Sequence, residues 1–419
     1  MRIHIRNGRI VDPASGKDGP GDLFIADGKI AEEFARPDRV IDAKGLVVAP
    51  GFVDLAARLR EPGFEYKATL ESELDAAAAG GVTSLACPPD TDPPLDEPGL
   101  VDMLRRRASA LSRARVHPLG ALTLKLEGQA LTEMGQLTDA GCVAFSQGNL
   151  SMPDHQVLWR ALQYAATFGY RVWLRAEDAA LAKGGVAHDG EMATRLGLPG
   201  IPSFAETIAL GSLIELVRAT GARVHVCRLS TAGAVELVRK AKAEKLPLTC
   251  DVGIHHLHLS DMDLGYFDSH CRLEPPLRSQ RDRDALARAL AEGVVDCVVS
   301  DHTPVDEDGK HLPFAEAEPG ATGLELLLPL VLKWGEAQKL PLAATLARIT
   351  TEPARILGVA AGRIALGAPA DLAIFDPRAA FLVSAQALKS QGKNTPFLGY
   401  ELAGRVRFTL LAGQVVYEA

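Results

Sequence analysis

This chain of 419 residues lacks several features that would assign its class at once. It has no uninterrupted apolar stretch of about 18 residues, which argues against a membrane-spanning helix. The N-terminus, Met1-Arg2-Ile3-His4-Ile5-Arg6, alternates polar and apolar residues and predicts a strand, not a signal peptide. A formal net charge of −8 argues against nucleic acid as the main partner. We therefore expect a cytoplasmic protein with neither a membrane nor a nucleic-acid partner.

The sequence also lacks closely spaced cysteines. Its six cysteines are scattered, and no Cys-x-x-Cys motif occurs. Several lie in strand-like apolar stretches, such as Ser84-Leu85-Ala86-Cys87. This distribution predicts buried free thiols in a reducing compartment. The six are Cys87, Cys142, Cys227, Cys250, Cys271 and Cys297.

What the sequence does contain is a regular alternation of short apolar stretches and longer helix-like ones. The predicted strands are 52–56, 82–87, 115–122, 142–146, 171–176, 223–229, 247–254 and 296–300. The predicted helices are 69–79, 96–112, 153–167, 203–219, 231–243 and 280–291. Eight strands with intervening helices predict an α/β protein with a (β/α)8 barrel, and a doubly wound sheet is the alternative.

The two ends of the chain have a different pattern, rich in short strands and turns. Asn7-Gly8 and Asp27-Gly28 are hairpin signals near the N-terminus. Strand-like stretches at 370–376 and 413–417 match them near the C-terminus. We predict that residues 1–50 and 362–419 pair into a small β-sandwich domain, beside a barrel domain that spans residues 51–361.

A series of ordered motifs along nearly the whole chain resembles the longer type of bacterial dihydroorotase, of the amidohydrolase superfamily. The motifs include Pro50-Gly51-Phe52-Val53-Asp54, Leu59-Arg60-Glu61-Pro62-Gly63, Ser230-Thr231-Ala232-Gly233, Pro275-Pro276-Leu277-Arg278-Ser279 and Ser300-Asp301-His302. Each motif alone is weak, but their order is specific. The resemblance implies a barrel whose catalytic zinc is held at the C-terminal ends of the strands.

The positions that would hold the metal in this family carry unsuitable residues here. The first-strand His-x-His pair corresponds to Ala56 and Arg58, and the bridging acid to Gln147. The two later histidines correspond to Arg175 and Arg228, so Asp301 alone keeps its type. Zinc requires about four ligands from neutral histidine, carboxylate or thiolate, and arginine stays protonated. We therefore expect no metal cofactor and no catalytic residue, with these six positions as remnants of the site.

The family's substrate positions are altered as well. Arg60 matches the arginine that binds the substrate carboxylate. Two asparagines correspond to Asp90 and Glu274, and a histidine corresponds to Val305. Replacing neutral amides by anions opposes an anionic ligand. We predict that Arg58, Arg175 and Arg228 pair with Asp90, Glu274 and Asp301 where the cation would lie.

Three histidines, His255, His256 and His258, raise the question of a replacement metal site. The first two match a family motif that does not ligate metal, so we expect packing or hydrogen-bonding roles.

The resemblance implies a non-catalytic dihydroorotase homologue in pyrimidine biosynthesis. Such a chain would be a structural subunit, with the catalytic chain of aspartate carbamoyltransferase as its partner in a homo- or hetero-oligomer. Two alternatives remain open at this point. One is a dihydroorotase or other cyclic-amide hydrolase with an atypical zinc site, which needs about three ligands converging at the barrel mouth. The other is a small-molecule sensor that keeps a pocket without the chemistry.

Overall fold

The computed structural model describes residues 1–419 and contains eighteen strands. In chain order they are β1 (Arg2–Asp12), β2 (Lys17–Ala26), β3 (Lys29–Ala31), β4 (Arg39–Asp42), β5 (Val47–Pro50), β6 (Phe52–Asp54), β7 (Val82–Cys87), β8 (Arg115–Ala121), β9 (Ala144–Ser146), β10 (Arg171–Leu174), β11 (Ala187–His188), β12 (Gly200–Ile201), β13 (Arg223–Val226), β14 (Leu248–Gly253), β15 (Cys297–Val299), β16 (Leu372–Leu382), β17 (Glu401–Leu411) and β18 (Gln414–Glu418).

Thirteen α-helices and five short 3-10 helices connect these strands. The α-helices are α1 (Leu70–Ala79), α2 (Pro98–Leu111), α3 (Met134–Ala140), α4 (His155–Phe168), α5 (Ala179–Ala182), α6 (Glu191–Leu196), α7 (Phe204–Thr220), α8 (Ala232–Ala243), α9 (Gln280–Glu292), α10 (Glu307–His311), α11 (Leu327–Ala337), α12 (Leu342–Ala347) and α13 (Thr351–Leu357). The 3-10 helices are Leu124–Leu126, Ile254–Leu257, Asp261–Leu264, Ser269–Cys271 and Leu324–Leu326. None of the helices combines the length and apolar composition that crossing a membrane requires.

Eight parallel strands follow one another around the central sheet, in the order β6, β7, β8, β9, β10, β13, β14 and β15. The first and last strands meet through a parallel bridge between Ala57 and His302. The Ser300 backbone N–H also donates to Asp54 Oδ1 at 2.9 Å across the same seam. The sheet therefore closes into the predicted (β/α)8 barrel, and the doubly wound alternative is excluded.

Strands from both chain ends form a second, eight-stranded sheet. The antiparallel pairing of β5 with β16 joins the two ends, with Val48 opposite Ile374. Residues from both ends build a separate apolar core that includes Ile3, Ile25 and Leu372. The predicted association of the two ends is therefore confirmed.

The loop between β16 and β17 leaves this second sheet and packs on the barrel. Ser390 Oγ donates to Glu73 Oε2 at 2.7 Å, and Asn394 Nδ2 donates to the Thr303 carbonyl at 3.0 Å. Phe397 is 1% exposed and belongs to the main core of the barrel. The C-terminal part of the chain thus contributes to the rim where the barrel strands end.

Alternation along β10 decides which side chains enter the barrel. Trp173 lies in the apolar cluster of the barrel interior, whereas Val172 and Leu174 join the core between strands and helices. Arg171 and Arg175, two residues to either side of Trp173, therefore lie at opposite ends of the barrel interior.

Candidate functional site

The six positions aligned with the family's metal ligands all follow the C-terminal ends of barrel strands. Ala56 and Arg58 follow β6, Gln147 follows β9, and Arg175 follows β10. Arg228 and Asp301 follow β13 and β15 in the same way. Parallel strands of a barrel end at one face, so these residues share the mouth at which active sites of this fold lie.

The Arg58 side chain, which is only 5% exposed, contacts four residues of this mouth. Its Nε donates to Asp90 Oδ2 at 2.8 Å, and its Nη2 donates to Asn149 Oδ1 at 2.7 Å. Its Nη1 donates to Thr303 Oγ1 at 3.2 Å and lies 3.7 Å from Asp301 Oδ1. Burial works to raise the pKa of Asp90, but the Arg58 charge and hydrogen bond hold it below its ordinary value.

Arg228 extends the network to the other side of the mouth. Its Nη1 lies 3.1 Å from Asp301 Oδ1, and its Nη2 donates to Asn149 Oδ1 at 2.6 Å. Burial works to lower the pKa of this guanidinium, but the charge of Asp301 and those of other nearby groups, including Asp251 and Glu274, together outweigh it and raise the pKa. Arg228 therefore remains a cation within the region that a metal ion would occupy.

The third arginine, Arg175, pairs with two acids. Its Nη2 lies 2.6 Å from Glu177 Oε1 and 2.8 Å from Glu274 Oε1. The same nitrogen donates to the Asn149 carbonyl at 3.0 Å. The predicted pairing of the three arginines with Asp90, Glu274 and Asp301 is therefore confirmed, and Glu177 is an additional partner.

Asn149 is a second residue of this network, besides Glu177, that the sequence alone does not predict. Its Oδ1 accepts hydrogen bonds from both Arg58 and Arg228, and its Nδ2 donates to Glu274 Oε2 at 3.3 Å. It lies two residues beyond Gln147 in the loop after β9. A polar side chain that close to a strand end is the only signal that points to it.

Gln147 and Ala56 take no part in this network. Gln147 Nε2 donates to Thr123 Oγ1 at 2.9 Å and to the Leu126 carbonyl at 2.7 Å, so it holds the adjacent loop. Ala56 has no polar side chain, and its backbone carbonyl accepts from the His302 N–H at 3.1 Å. Neither residue supplies a metal ligand in this arrangement.

The four positions that align with the family's substrate contacts have different environments. Asp90 and Glu274 are engaged by arginines, as described above. Arg60 has no ion pair, and its Nε donates to the Pro304 carbonyl at 2.8 Å. Burial, followed by the charge of Arg58, lowers the pKa of Arg60 to about 10. Val305 is buried and lines a separate cavity of about 440 Å³ beside Lys67.

Backbone geometry at the mouth is unusual for the residue types present. Arg60, Arg228 and Asp301 have φ values of 61°, 55° and 48°. Arginine rarely adopts this left-handed region, whereas aspartate adopts it more often, and such conformations cluster at functional sites. The strands thus still direct side chains into the mouth at some cost in backbone energy.

The three nearby histidines do not form a metal cluster. His256 Nε2 lies 3.1 Å from the Pro275 carbonyl, and His258 Nε2 lies 2.9 Å from the Leu330 carbonyl. The His255 ring stacks on Phe397 with centroids 5.7 Å apart. The expected packing and hydrogen-bonding roles agree with these contacts.

A different group of metal-ligating residue types, which the sequence alone does not predict, lies deeper in the barrel. Potential ligand atoms of His225, Cys227 and Asp251 lie within 4.8 Å of one another. Both His225 nitrogens already have partners, Asp251 Oδ2 at 2.9 Å and Thr249 Oγ1 at 2.8 Å. Asp251 Oδ1 accepts from the Arg228 N–H at 2.6 Å, and burial raises the pKa of the Cys227 thiol. These contacts do not suit zinc, which needs free nitrogen and thiolate ligands.

All six cysteines are free, and five of them are buried. Their predicted state as free thiols agrees with the structure.

Comparison with known proteins places these features in context. Residues 45–234 match a family model described as dihydro-orotase-like, and residues 204–417 match one described as amidohydrolase family. A dihydroorotase-like protein of Pseudomonas aeruginosa is 46% identical over 100% of both chains. One from Pseudomonas putida is 43% identical, covering 100% of this chain and 99% of the relative. A dihydroorotase of Geobacter sp. (strain M21) is 39% identical over 100% of both chains.

Among solved structures, the L-hydantoinase (dihydropyrimidinase) from Arthrobacter aurescens has a similar architecture. It superposes with a TM-score of 0.88 at 26% identity, covering 99% of this chain and 96% of the hydantoinase.

Proposed function

Given that this chain belongs to the dihydroorotase-like family of the amidohydrolase superfamily, we propose that it is a non-catalytic member that serves as a structural subunit of aspartate carbamoyltransferase. That enzyme catalyses the preceding step of pyrimidine synthesis. The observation that carries the proposal is the occupation of the mouth by Arg58, Arg175 and Arg228, each within 3.1 Å of a carboxylate oxygen.

The first support for inactivity is the chemistry of these side chains. The mouth presents three guanidinium groups where the family has ligands, and a guanidinium neither loses its proton nor coordinates zinc. The surviving carboxylate, Asp301, already lies between Arg58 and Arg228. A divalent cation would therefore meet three guanidinium charges, and the carboxylates of this mouth are already paired with them, whereas zinc sites have about four available ligands.

Hydrolysis would also lack its nucleophile. A zinc ion lowers the pKa of its bound water from about 15.7 to about 7, which supplies hydroxide at neutral pH. Without that ion, Asp301 has no activated water to deprotonate or orient. Its contacts with arginines support a structural role instead.

Substrate recognition is opposed by charge. Asp90 and Glu274 replace two neutral positions with carboxylates at the rim. Because these carboxylates already engage Arg58 and Arg175, an anionic substrate bound by Arg60 would have to compete with them for those arginines. The same observation weighs against a sensor that keeps the family's ligand.

The intact scaffold supports the structural role. The barrel closes, its interior is packed, and the rim is held by side chains from distant parts of the chain. Two relatives at 43% and 46% identity are named dihydroorotase-like protein, whereas the relative from Geobacter at 39% is named dihydroorotase. A structural subunit needs a stable surface but no active site. The intact barrel and the altered metal and substrate positions are both consistent with such a role.

The second candidate, a hydrolase with an atypical metal site, is favoured by one observation, the proximity of His225, Cys227 and Asp251. The hydrogen bonds that already engage His225 and Asp251 weigh against it. Zinc titration of the purified protein, with dihydroorotate hydrolysis as the readout, separates the two candidates. Zinc-dependent turnover that Cys227→Ala abolishes would favour the hydrolase.

The structural role is tested by coexpression with the catalytic chain of aspartate carbamoyltransferase. Size-exclusion chromatography with light scattering should show one complex whose mass exceeds that of either protein. The contact should bury at least about 1,200 Å², because stable interfaces start near that size. Separate elution of the two proteins at micromolar concentration would contradict the proposal.

A further inference from the structure

A second opening lies at the end of the barrel opposite the ion-pair network. A cavity of about 300 Å³ is bounded by the first residues of β10, β13 and β14 and by α13. Its lining includes Arg171, Trp173, Arg223, His225 and Arg355. The N-terminal ends of the strands form this face, so the cavity is separate from the mouth described above.

The charge of this cavity is one-sided. Arg171 forms neither an ion pair nor a hydrogen bond, and Arg223 donates only to the Gly169 carbonyl. Burial, followed by the positive charge of Arg223, lowers the pKa of Arg171. The third arginine, Arg355, is neutralised by Glu352 at 3.0 Å and Asp296 at 3.4 Å. No acidic residue lines the cavity, so two guanidinium charges face it without a counter-charge.

A buried hydrogen-bond donor adds an independent indication. Trp173 lines the cavity and is 1% exposed, yet its indole N–H has no acceptor in the protein. Buried donors are nearly always satisfied, so such a group calls for an explanation. The neighbouring His225 ring, 5.0 Å away between centroids, has both nitrogens engaged by Thr249 and Asp251.

We propose that this cavity binds a phosphate-type dianion, either free or as the phosphate group of a small phosphomonoester. A dianion balances the two uncompensated guanidinium charges, which a single carboxylate does not. The planar fork of arginine matches phosphate oxygens, and the Trp173 N–H supplies a further donor. A volume of about 300 Å³ accommodates a phosphate with a small organic group, at the lower end of ligand pockets.

The test is isothermal titration of the purified full-length protein with inorganic phosphate, against chloride at equal ionic strength. We expect saturable binding at one site, with a phosphate-dependent rise in melting temperature. Arg171→Gln and Arg223→Gln should each weaken binding about tenfold or more, since each removes a charge-assisted hydrogen bond. Trp173→Phe should weaken it less, because it removes one neutral donor and keeps the ring.

Arg106→Gln is the matched control, because Arg106 is an exposed arginine of α2 and its loss changes net charge equally. It should bind phosphate as the unmodified protein does. Arg223 is exposed, so Arg223→Gln provides the decisive comparison if Arg171→Gln fails to fold. A second titration with glycerol phosphate separates the two sources: tighter binding than inorganic phosphate assigns a phosphomonoester, and equal binding assigns free phosphate. No phosphate binding beyond the chloride control, or equal binding by Arg223→Gln and Arg106→Gln, would overturn the proposal.

Discussion

Arg228 and Asp301 join the ends of β13 and β15 by an ion pair of 3.1 Å across the barrel mouth. Both residues have positive φ values, 55° and 48°, a region that arginine seldom adopts and aspartate adopts more often. In the family resemblance, the same two positions hold a histidine and an aspartate that share a cation. Here the cation is part of the protein, because the guanidinium of Arg228 lies beside the carboxylate.

Removing the carboxylate of this pair should destabilise the protein strongly. Asp301→Ala leaves the buried charge of Arg228 without its ion-pair partner, while Arg58 keeps Asp90, and such a loss costs about 3–5 kcal/mol of unfolding free energy. Urea denaturation measures this change. Asp308→Ala, at an exposed aspartate of α10, is the control and should change stability by less than about 0.5 kcal/mol. Equal stability of Asp301→Ala and the unmodified protein would show that the network carries no stability.

Asn149 should contribute through its two arginine partners. Asn149→Ala leaves the Nη2 groups of Arg58 and Arg228 without this acceptor, at a cost of about 2–3 kcal/mol. Asn149→Asp keeps an acceptor oxygen between them and should lose less. Urea denaturation of the two variants measures how much the acceptor oxygen at position 149 contributes to the free energy of unfolding. A smaller loss of unfolding free energy in Asn149→Ala than in Asn149→Asp would contradict the role assigned to Asn149.

The protein should contain no stoichiometric zinc at the mouth, and Ala56→His alone should not create dihydroorotase activity. One added histidine meets Arg58, Arg175 and Arg228 instead of further ligands, and zinc affinity depends on the whole set. Elemental analysis after mild dialysis and a dihydroorotate assay measure both points. About one zinc per chain that Asp301→Ala removes would contradict the first, and turnover above contamination by the unmodified chain would contradict the second.

Stability should fall as the pH drops below about 6.5. Burial lowers the pKa of His255 and of His258 to about 4, so each binds its proton more readily after unfolding. The neutral, buried histidines contribute their full share to the free energy of unfolding above pH 6.5, which is about the pKa of histidine in the unfolded chain. This contribution is lost as the pH falls toward the lower pKa of the folded state. From pH 7 to pH 5 each histidine should account for about 2 kcal/mol of lost unfolding free energy.

Urea denaturation at the two pH values tests this dependence. His255→Phe keeps a ring on Phe397 and removes the titrating group, so its loss between pH 7 and pH 5 should be smaller. His311→Gln, at an exposed position, is the control and should keep the full loss. An unchanged loss in His255→Phe would show that this histidine is not responsible.

Much of the fold was predictable from sequence, because its strands are short, buried and separated by amphipathic helices. The predicted strand 82–87 coincides with β7, and the predicted helix 280–291 differs from α9 by one residue. Helices α11 to α13 were not predicted. The stretch Leu326-Leu327-Leu328-Pro329-Leu330-Val331 is apolar on all sides and buried, so it gives no helical periodicity.

Residues of the candidate site were predictable only at positions that align with the family motifs. Arg58, Arg175 and Arg228 stand at motif positions, and their pairing with acids follows from charge. Glu177 lies two residues after its partner Arg175 in the loop that follows β10. Asn149 occupies a loop position whose partners, Arg58 and Arg228, follow other strands, so only the folded chain brings them together. His225 and Asp251 belong to different strands and meet inside the barrel for the same reason.

The structural-subunit proposal is tested most directly by assaying aspartate carbamoyltransferase with and without this chain. The catalytic chain should be expressed alone, with this protein, and with Asp301→Ala, while transcarbamoylase activity and assembly mass are recorded. The account predicts full activity and a defined assembly only when the intact chain is present, and a weaker effect from the destabilised variant. A catalytic chain that assembles and works equally well alone, and never comigrates with this protein, would contradict it.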